Sequence, residues 1–223
     1  AVLAYTYFGY PLYVFVRSRF ARRPVNKDLT HKPFVSVIMA AHNEDETIER
    51  KIRNLLYSTY PQGMLEILVG SDGSTDGTNM ILGRISDSRV RMFIFEKRRG
   101  KPSVLNTLAP KAKGEILVFC DSRQTFEKDT IGHLAANFAD DAVGCVSGEL
   151  HLTPGADATG VSDGVGIYWK YEKLIRRCEA SVHSMVGATG AVYAIRKSLF
   201  RKAPKSTILD DVYIPLSIAR RAP

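Results

Sequence analysis

Apolar residues fall in short, nearly unbroken runs through the first half of this chain. Val35–Ala40, Ile67–Val69, Val90–Phe95 and Ile116–Cys120 are each bounded by polar or turn-forming residues. Runs of that length without alternation predict strands buried on both faces. Between them the spacing turns helical: Ile48, Ile52, Leu55 and Leu56, then Met80, Ile81 and Ile85, then Val104, Leu105 and Leu108. Asn43 followed by Glu46 fits a capping box opening the first of these helices, and Pro61 with Gly63 ends it. Strand and helix alternate four times between Val35 and Cys120. That order predicts an α/β fold, a mainly parallel sheet flanked by helices.

In such a sheet the carboxyl ends of the parallel strands share one edge, and ligands bind there. Three of these ends are polar: Ala41–Glu44, Ser71–Asp76 and Asp121–Arg123. The stretch Glu66–Thr78, EILVGSDGSTDGT, reads as a strand that stops at Gly70 and opens into a turn. Asp72 is then a fixed acceptor at the strand tip, Gly73 supplies the tight bend, and Ser74 or Thr75 caps the next helix. Asp76 is the structural acid of the group. The turn by itself fits a ligand site and a well-capped connection equally. The second half is less regular. A helix is expected over Lys128–Phe138, a strand at Val143–Val146, a loop over Thr153–Gly166, a helix over Tyr168–Ala180 and a strand at Ala191–Ile195. Asp210 and Asp211 precede a segment carrying Ile214, Leu216 and Ile218.

Ahead of all this, Ala1–Val16 is uncharged and rich in aromatics. It is slightly short of the roughly 20 residues a spanning helix needs. Arg17, Arg19, Arg22, Arg23, Lys27 and Lys32 follow, with only Asp28 against them. An apolar run followed by basic residues is the positive-inside pattern. It predicts membrane attachment at a cell inner membrane, with the rest of the chain cytoplasmic. The chain opens at Ala1 rather than at methionine and is taken as a piece of a longer protein.

The charge balance, +8, has a second basic cluster at Lys97, Arg98, Arg99 and Lys101. Such clusters suit nucleic acid, lipid headgroups or phosphorylated small molecules. The lack of interleaved aromatics argues against nucleic acid. Three widely spaced cysteines, Cys120, Cys145 and Cys178, form no Cys-x-x-Cys pair, so neither a zinc site nor a disulfide scaffold is supported. A P-loop, a Gly-x-Gly-x-x-Gly turn and a His-Glu-x-x-His helix are all absent.

Two carboxylate positions carry candidate chemistry. Asp121 ends the apolar run ILVFCD, where it suits either a hard cation, which takes oxygen ligands, or a helix cap. Asp210 and Asp211 are adjacent acids after Ile208-Leu209. Their repulsion fits a proton acceptor of raised pKa, and their position fits a helix N-terminus.

Together these segments resemble family 2 glycosyltransferases. Val35–Asn43 followed by Glu44 looks like that family's opening strand, and SDGSTDGT at Ser71–Thr78 is similar to its nucleotide-binding turn. RRGKPSVLN at Arg98–Asn106 and ILVFCDSR at Ile116–Arg123 resemble its next loop and its metal-binding strand end. GATGAVYAIRKSLF at Gly187–Phe200 and ILDD at Ile208–Asp211 resemble its acceptor-side segments. The resemblance spans residues 33–218. It implies a GT-A fold and an inverting hexosyltransferase of polysaccharide or glycolipid assembly, using a nucleotide sugar that is UDP-linked. Residues 1–32 are then an apolar membrane-proximal segment and basic linker, and 33–223 a catalytic domain incomplete at its carboxyl end. The resemblance assigns Ala41, Asn43, Glu44 and Asp72 to the nucleoside, with Asp72 on the base edge, and Lys101 to the diphosphate. It assigns Asp121 to a divalent cation, Mg2+ or Mn2+. Asp211, beside Asp210, becomes the general base, and Gly190 lies near a glycan or lipid-linked acceptor. Two departures stand out. The usual Asp-x-Asp is Asp121-Ser122-Arg123, whose Arg123 cannot ligate a cation, and the Gln-x-x-Arg-Trp motif of processive members is absent. A nucleotidyltransferase would instead carry a glycine-rich basic loop where His42-Asn43-Glu44-Asp45-Glu46 stands. A non-catalytic binding module is a further alternative.

Overall fold

A computed structural model of the chain describes residues 2–150, 161–184 and 187–219. By contacts the chain divides into two compact units, residues 1–25 with 150–186 and residues 26–149 with 187–223. The sequence pattern instead divides at residues 32 and 33.

The first unit is helical. A short α1 (Val2–Ala4) and a π-helical turn (Tyr5–Gly9) lead into α2 (Tyr10–Phe20). In this unit α2 packs along a long helix from later in the chain, Val161–Val182. The Tyr10 hydroxyl donates to Glu179 Oε1 at 2.6 Å. That hydrogen bond, with burial, pushes the Tyr10 pKa up to about 12. Leu3, Phe8, Leu12, Tyr13 and Phe20 remain exposed. Among the described residues, no helix is long and apolar enough to cross a membrane.

The second unit is a six-stranded sheet with helices on both faces. In chain order it contains β1 (Val35–Ala41), α3 (Ile48–Leu56), β2 (Leu65–Asp72), α4 (Thr78–Gly83), β3 (Val90–Phe95), α5 (Lys101–Leu108), β4 (Ile116–Cys120) and α6 (Thr130–Ala136). β5 (Cys145–Ser147) follows, then α7, the Val161–Val182 helix of the first unit, then β6 (Val192–Arg196) and α8 (Asp210–Ala219). The strand order is β3-β2-β1-β4-β6-β5. β3, β2, β1 and β4 run parallel, as the alternating pattern predicts, while β6 is antiparallel to both β4 and β5.

Side chains alternate along each strand between two apolar layers. Val37, Met39, Ile67, Val69 and Val118 face one layer with Ile52 and Leu55 of α3, Leu82 of α4 and Leu134 of α6. Ile38, Leu68, Leu117, Phe119, Tyr193 and Ile195 face the other, with Val104, Leu105 and Leu108 of α5 and Ile214 and Ile218 of α8. Each such aliphatic side chain contributes roughly 1.5–3 kcal/mol on burial. The core is therefore rigid support beneath one polar edge.

Four local expectations are corrected. β2 does not stop at Gly70: Gly70 pairs with Ala40 on one side and Phe93 on the other, and that ladder carries the strand through Asp72. The Asn43–Glu46 capping box does not form. Asn43 takes a left-handed φ of 53° and turns its Oδ1 to the Thr75 N–H at 2.9 Å, so α3 begins at Ile48. Neither Ser74 nor Thr75 caps α4; the Asp76 Oδ1 accepts the Thr78 N–H at 3.0 Å, a structural role as read from the sequence. Helix α7 starts at Val161, within the stretch expected to be a loop, and residues 153–160 of that stretch lie outside the described residues.

Candidate active site

The parallel register brings the three polar tips to one edge. Ala41 pairs with Ser71, and β4 runs beside β1 up to Cys120, so Asp121 leaves the sheet next to the β1 tip. The pairing of β1 with β2 and β4 fixes these positions.

Asp72 is 3% exposed, and both of its oxygens are engaged. Oδ1 accepts the Arg99 N–H and Oδ2 the Gly100 N–H, each at 2.8 Å. The β2 tip therefore fixes the loop that delivers Lys101 as the first residue of α5. Gly73 has φ +64°, and a Cβ there would stand 2.5 Å from the Arg98 N, so the same loop presses against the turn. His42 Nδ1 lies 2.8 Å from the Asp72 carbonyl. The Arg99 guanidinium stacks 3.8 Å from the Phe95 ring centroid.

Lys101 is the hub of the edge. Its Nζ lies 3.0 Å from Asp121 Oδ1 and 3.3 Å from Asp210 Oδ1. Asp210 is buried, and its Oδ2 accepts the Tyr193 hydroxyl at 3.2 Å. Burial works against the lysine's charge, but the Asp210 and Asp121 carboxylates outweigh it and hold its pKa above the ordinary value. Burial, reinforced by Asp210, raises the Tyr193 hydroxyl strongly, so it stays a donor.

Asp210 and Asp211 are the first two residues of α8, the helix-terminus position read from the sequence. Burial and then the like charge of Asp210 raise the Asp211 pKa. The Asp211 carboxylate lies over Gly190, where a Cβ would come within 2.7 Å of Oδ2. Pro215, inside α8, has no N–H to give the Asp211 carbonyl. That carbonyl instead accepts the Ala188 N–H at 2.9 Å, pinning the 188–190 segment beneath the acid.

Other predicted residues are placed more peripherally. Asn43 tethers the β1 tip to the β2 turn through Ser74 and Thr75. The Glu44 side chain accepts the Thr47 hydroxyl at 2.7 Å and pairs with Arg123 at 3.2 Å. Burial opposes its charge, and the hydrogen bonds from Thr47, Ser122 and Arg123 lower its pKa on balance. The structure thus gathers Lys101, Asp121, Asp210, Asp211 and Gly190 into one cluster. It sets Asp72 immediately behind, and Ala41, Asn43 and Glu44 along the adjoining rim. The sequence reading did not identify Tyr193. Its signal was a lone hydroxyl inside the apolar run AVYAI, which needs a partner when buried.

Among the described residues no group of three or more His, Cys, Asp or Glu side chains could hold a metal ion. Asp121 nevertheless fits a hard cation. Its side chain is 40% exposed and already holds a positive group, the Lys101 ammonium. One carboxylate with phosphate oxygens and water is a usual ligand set for such an ion.

Comparisons with known proteins bear on the family and the fold. The family model for glycosyl transferase family 2 matches residues 36–202. The beta-monoglucosyldiacylglycerol synthase of Nostoc sp. is 31% identical over 137 residues, covering 60% of this chain and 29% of that protein. The poly-beta-1,6-N-acetyl-D-glucosamine synthase of Staphylococcus aureus is 25% identical over 201 residues, covering 86% and 46%. The chain spans less than half the length of these curated relatives. Among solved structures, the mannosyltransferase PcManGT from Pyrobaculum calidifontis, in complex with GDP-Man and Mn2+, matches with a TM-score of 0.82 and 28% identity. That match covers 99% of this chain and 63% of the other. Staphylococcus aureus TarS matches at a TM-score of 0.57 and 18% identity, a likeness of fold alone. The sheet with its flanking helices is the GT-A fold.

Proposed function

We propose, since the chain belongs to glycosyl transferase family 2, that this polar edge transfers a hexose from a nucleoside diphosphate sugar to an acceptor hydroxyl with inversion. One observation carries the reading. A single lysine, Lys101, contacts both the acid that ends β4 and the acid pair that opens α8, so one short cluster holds a leaving-group side and a base side.

Asp211 takes the proton from the acceptor hydroxyl as that oxygen attacks, since a neutral hydroxyl is a poor nucleophile. Its raised pKa suits this role: the acid binds a proton more firmly than a free carboxylate does. Asp210 is a positioning residue, held by Tyr193 and Lys101. Gly190 leaves open the space in which the Asp211 carboxylate lies. Asp121 would hold a Mg2+ or Mn2+ ion, which supplies charge stabilisation to a departing diphosphate. Lys101 and Arg123 give that side positive charge of the protein's own. Asp72 fixes the loop carrying Lys101, and its remaining lone pairs face the nucleoside, beside Ala41, Asn43 and Glu44. The exposed apolar residues of α2 and the basic residues after it dock the chain on a membrane, where a lipid-linked or glycan acceptor resides.

The uridine donor expected from the sequence stands beside the GDP-mannose of the Pyrobaculum enzyme. Proton NMR of slow donor hydrolysis tests the reading with UDP- and GDP-hexoses. An α-linked donor should release the β-anomer first. Release of the α-anomer first, or no hydrolysis of any donor, would contradict it.

A further inference from the structure

Lys101 is held twice, and this has a consequence for how the site fills. Its ammonium lies on Asp121 at 3.0 Å and on Asp210 at 3.3 Å. Asp210 is buried and fixed from behind by the Tyr193 hydroxyl at 3.2 Å. The backbone of Lys101 is fixed too, since Gly100 just before it donates its N–H to Asp72 Oδ2 at 2.8 Å. The lysine thus has one rigid end and one ammonium shared between two acids. Of these, Asp121 is 40% exposed on its side chain and Asp210 only 5%. The exposed acid is the one an incoming ion can reach.

We propose that Lys101 is an internal counter-ion of Asp121, so that a divalent cation binds well only together with a diphosphate. The inference rests on the proposed reading of Asp121 as the cation ligand. A free cation approaching Asp121 meets an ammonium already paired with its Oδ1, and two positive charges on one half-exposed carboxylate repel each other. A diphosphate offers that ammonium another anionic partner and frees the Asp121 oxygen. Cation and diphosphate then each raise the other's affinity by the same factor, as linkage requires. The lysine has no need to leave Asp210, whose burial keeps it paired. The alternation between an acid and a phosphate happens at the exposed end alone.

The test uses Mn2+ and UDP, each titrated by calorimetry alone and in the presence of the other, with no sugar and no turnover. In the wild-type chain Mn2+ alone should bind weakly. Lys101→Met should tighten Mn2+ alone by about tenfold, within the usual range of such couplings, and weaken UDP. Lys101→Arg, which keeps the charge, should leave Mn2+ alone as weak as in wild type. Lys101→Gln is the second neutral replacement should the methionine variant not fold. Unchanged or weaker Mn2+ binding in both neutral variants would overturn the counter-ion role. Loss of UDP binding in the wild type itself would instead overturn the underlying reading of the site.

Discussion

Asp211 has two properties that oppose each other, and both are measurable. Its folded-state pKa lies above the ordinary 3.8, so the folded chain binds its proton more firmly than the unfolded chain does. Its stabilising contribution is therefore full below about pH 3.8 and falls as pH rises through the folded value. At neutral pH the charged form is a net cost. Asp211→Asn removes that charge and should leave the melting temperature unchanged or higher, while turnover drops by about 10²–10⁴-fold, the usual contribution of a general base. The acid limb of the wild-type pH–rate profile should rise through the raised Asp211 pKa and vanish in the variant. Asp72 behaves in the opposite way. Its two oxygens each accept a backbone N–H, and an asparagine in that place can accept only one of them. Asp72→Asn should cost about 1–3 kcal/mol in denaturant unfolding, the penalty of a buried unpaired donor, and should weaken nucleotide binding as the Lys101 loop loosens. The sequence marks both acids, because each follows an apolar run. It does not show their surroundings: Asp72 meets the Arg99 and Gly100 N–H groups, and Lys101 meets Asp210 beside Asp211, only once α5 and α8 are packed on the sheet.

At the scale of elements, the alternation of strands and helices was legible down to residue boundaries in the fully buried run Ile116–Cys120 and in Val90–Phe95, the half-exposed edge strand. It failed where a polar side chain had a choice of partner. Asn43 offers a capping box on paper, yet the neighbouring β2 turn offers its oxygen the Thr75 N–H, and the tertiary partner wins. Pro215 is the converse case. It lies inside the last helix and has no N–H for the Asp211 carbonyl. In the fold it releases the Asp211 carbonyl to hold the Ala188 N–H, so a helix defect joins α8 to the segment before β6. That junction yields a further prediction. Gly190→Ala pushes a methyl group within 2.7 Å of Asp211 Oδ2. The carboxylate must turn away, so kcat should fall at least about tenfold, the scale of effect expected when a reacting group is displaced by a fraction of an ångström. The KM for the donor should hold steady, because the proposed donor contacts lie at the ends of β1, β2 and β4 and at the start of α5. A loss in donor KM with kcat intact would place Gly190 on the wrong side of the reaction.

For the whole molecule, the first basic cluster and the exposed apolar residues of α2 belong to one short stretch at the start of the chain. Phe8, Leu12, Tyr13 and Phe20 exposed beside Arg17, Arg19, Arg22 and Arg23 predict co-sedimentation with vesicles rich in anionic lipid. Charge-reversing Arg22 and Arg23 to Glu, or raising the salt, should reduce it, while neutral vesicles should bind less in every condition. In the other unit, one edge of the mainly parallel sheet is the proposed site of a nucleotide sugar, held through Asp72, Lys101 and Asp121. Thermal unfolding with a panel of UDP- and GDP-hexoses, with and without Mn2+, tests it most directly. At ligand concentrations about a hundredfold above Kd, binding adds about 2.7 kcal/mol, a shift of several degrees. The account predicts such a shift with at least one donor, larger with Mn2+ than without, and reduced in Asp121→Asn. No shift with any nucleotide sugar, or a shift indifferent to both Mn2+ and Asp121, would contradict it.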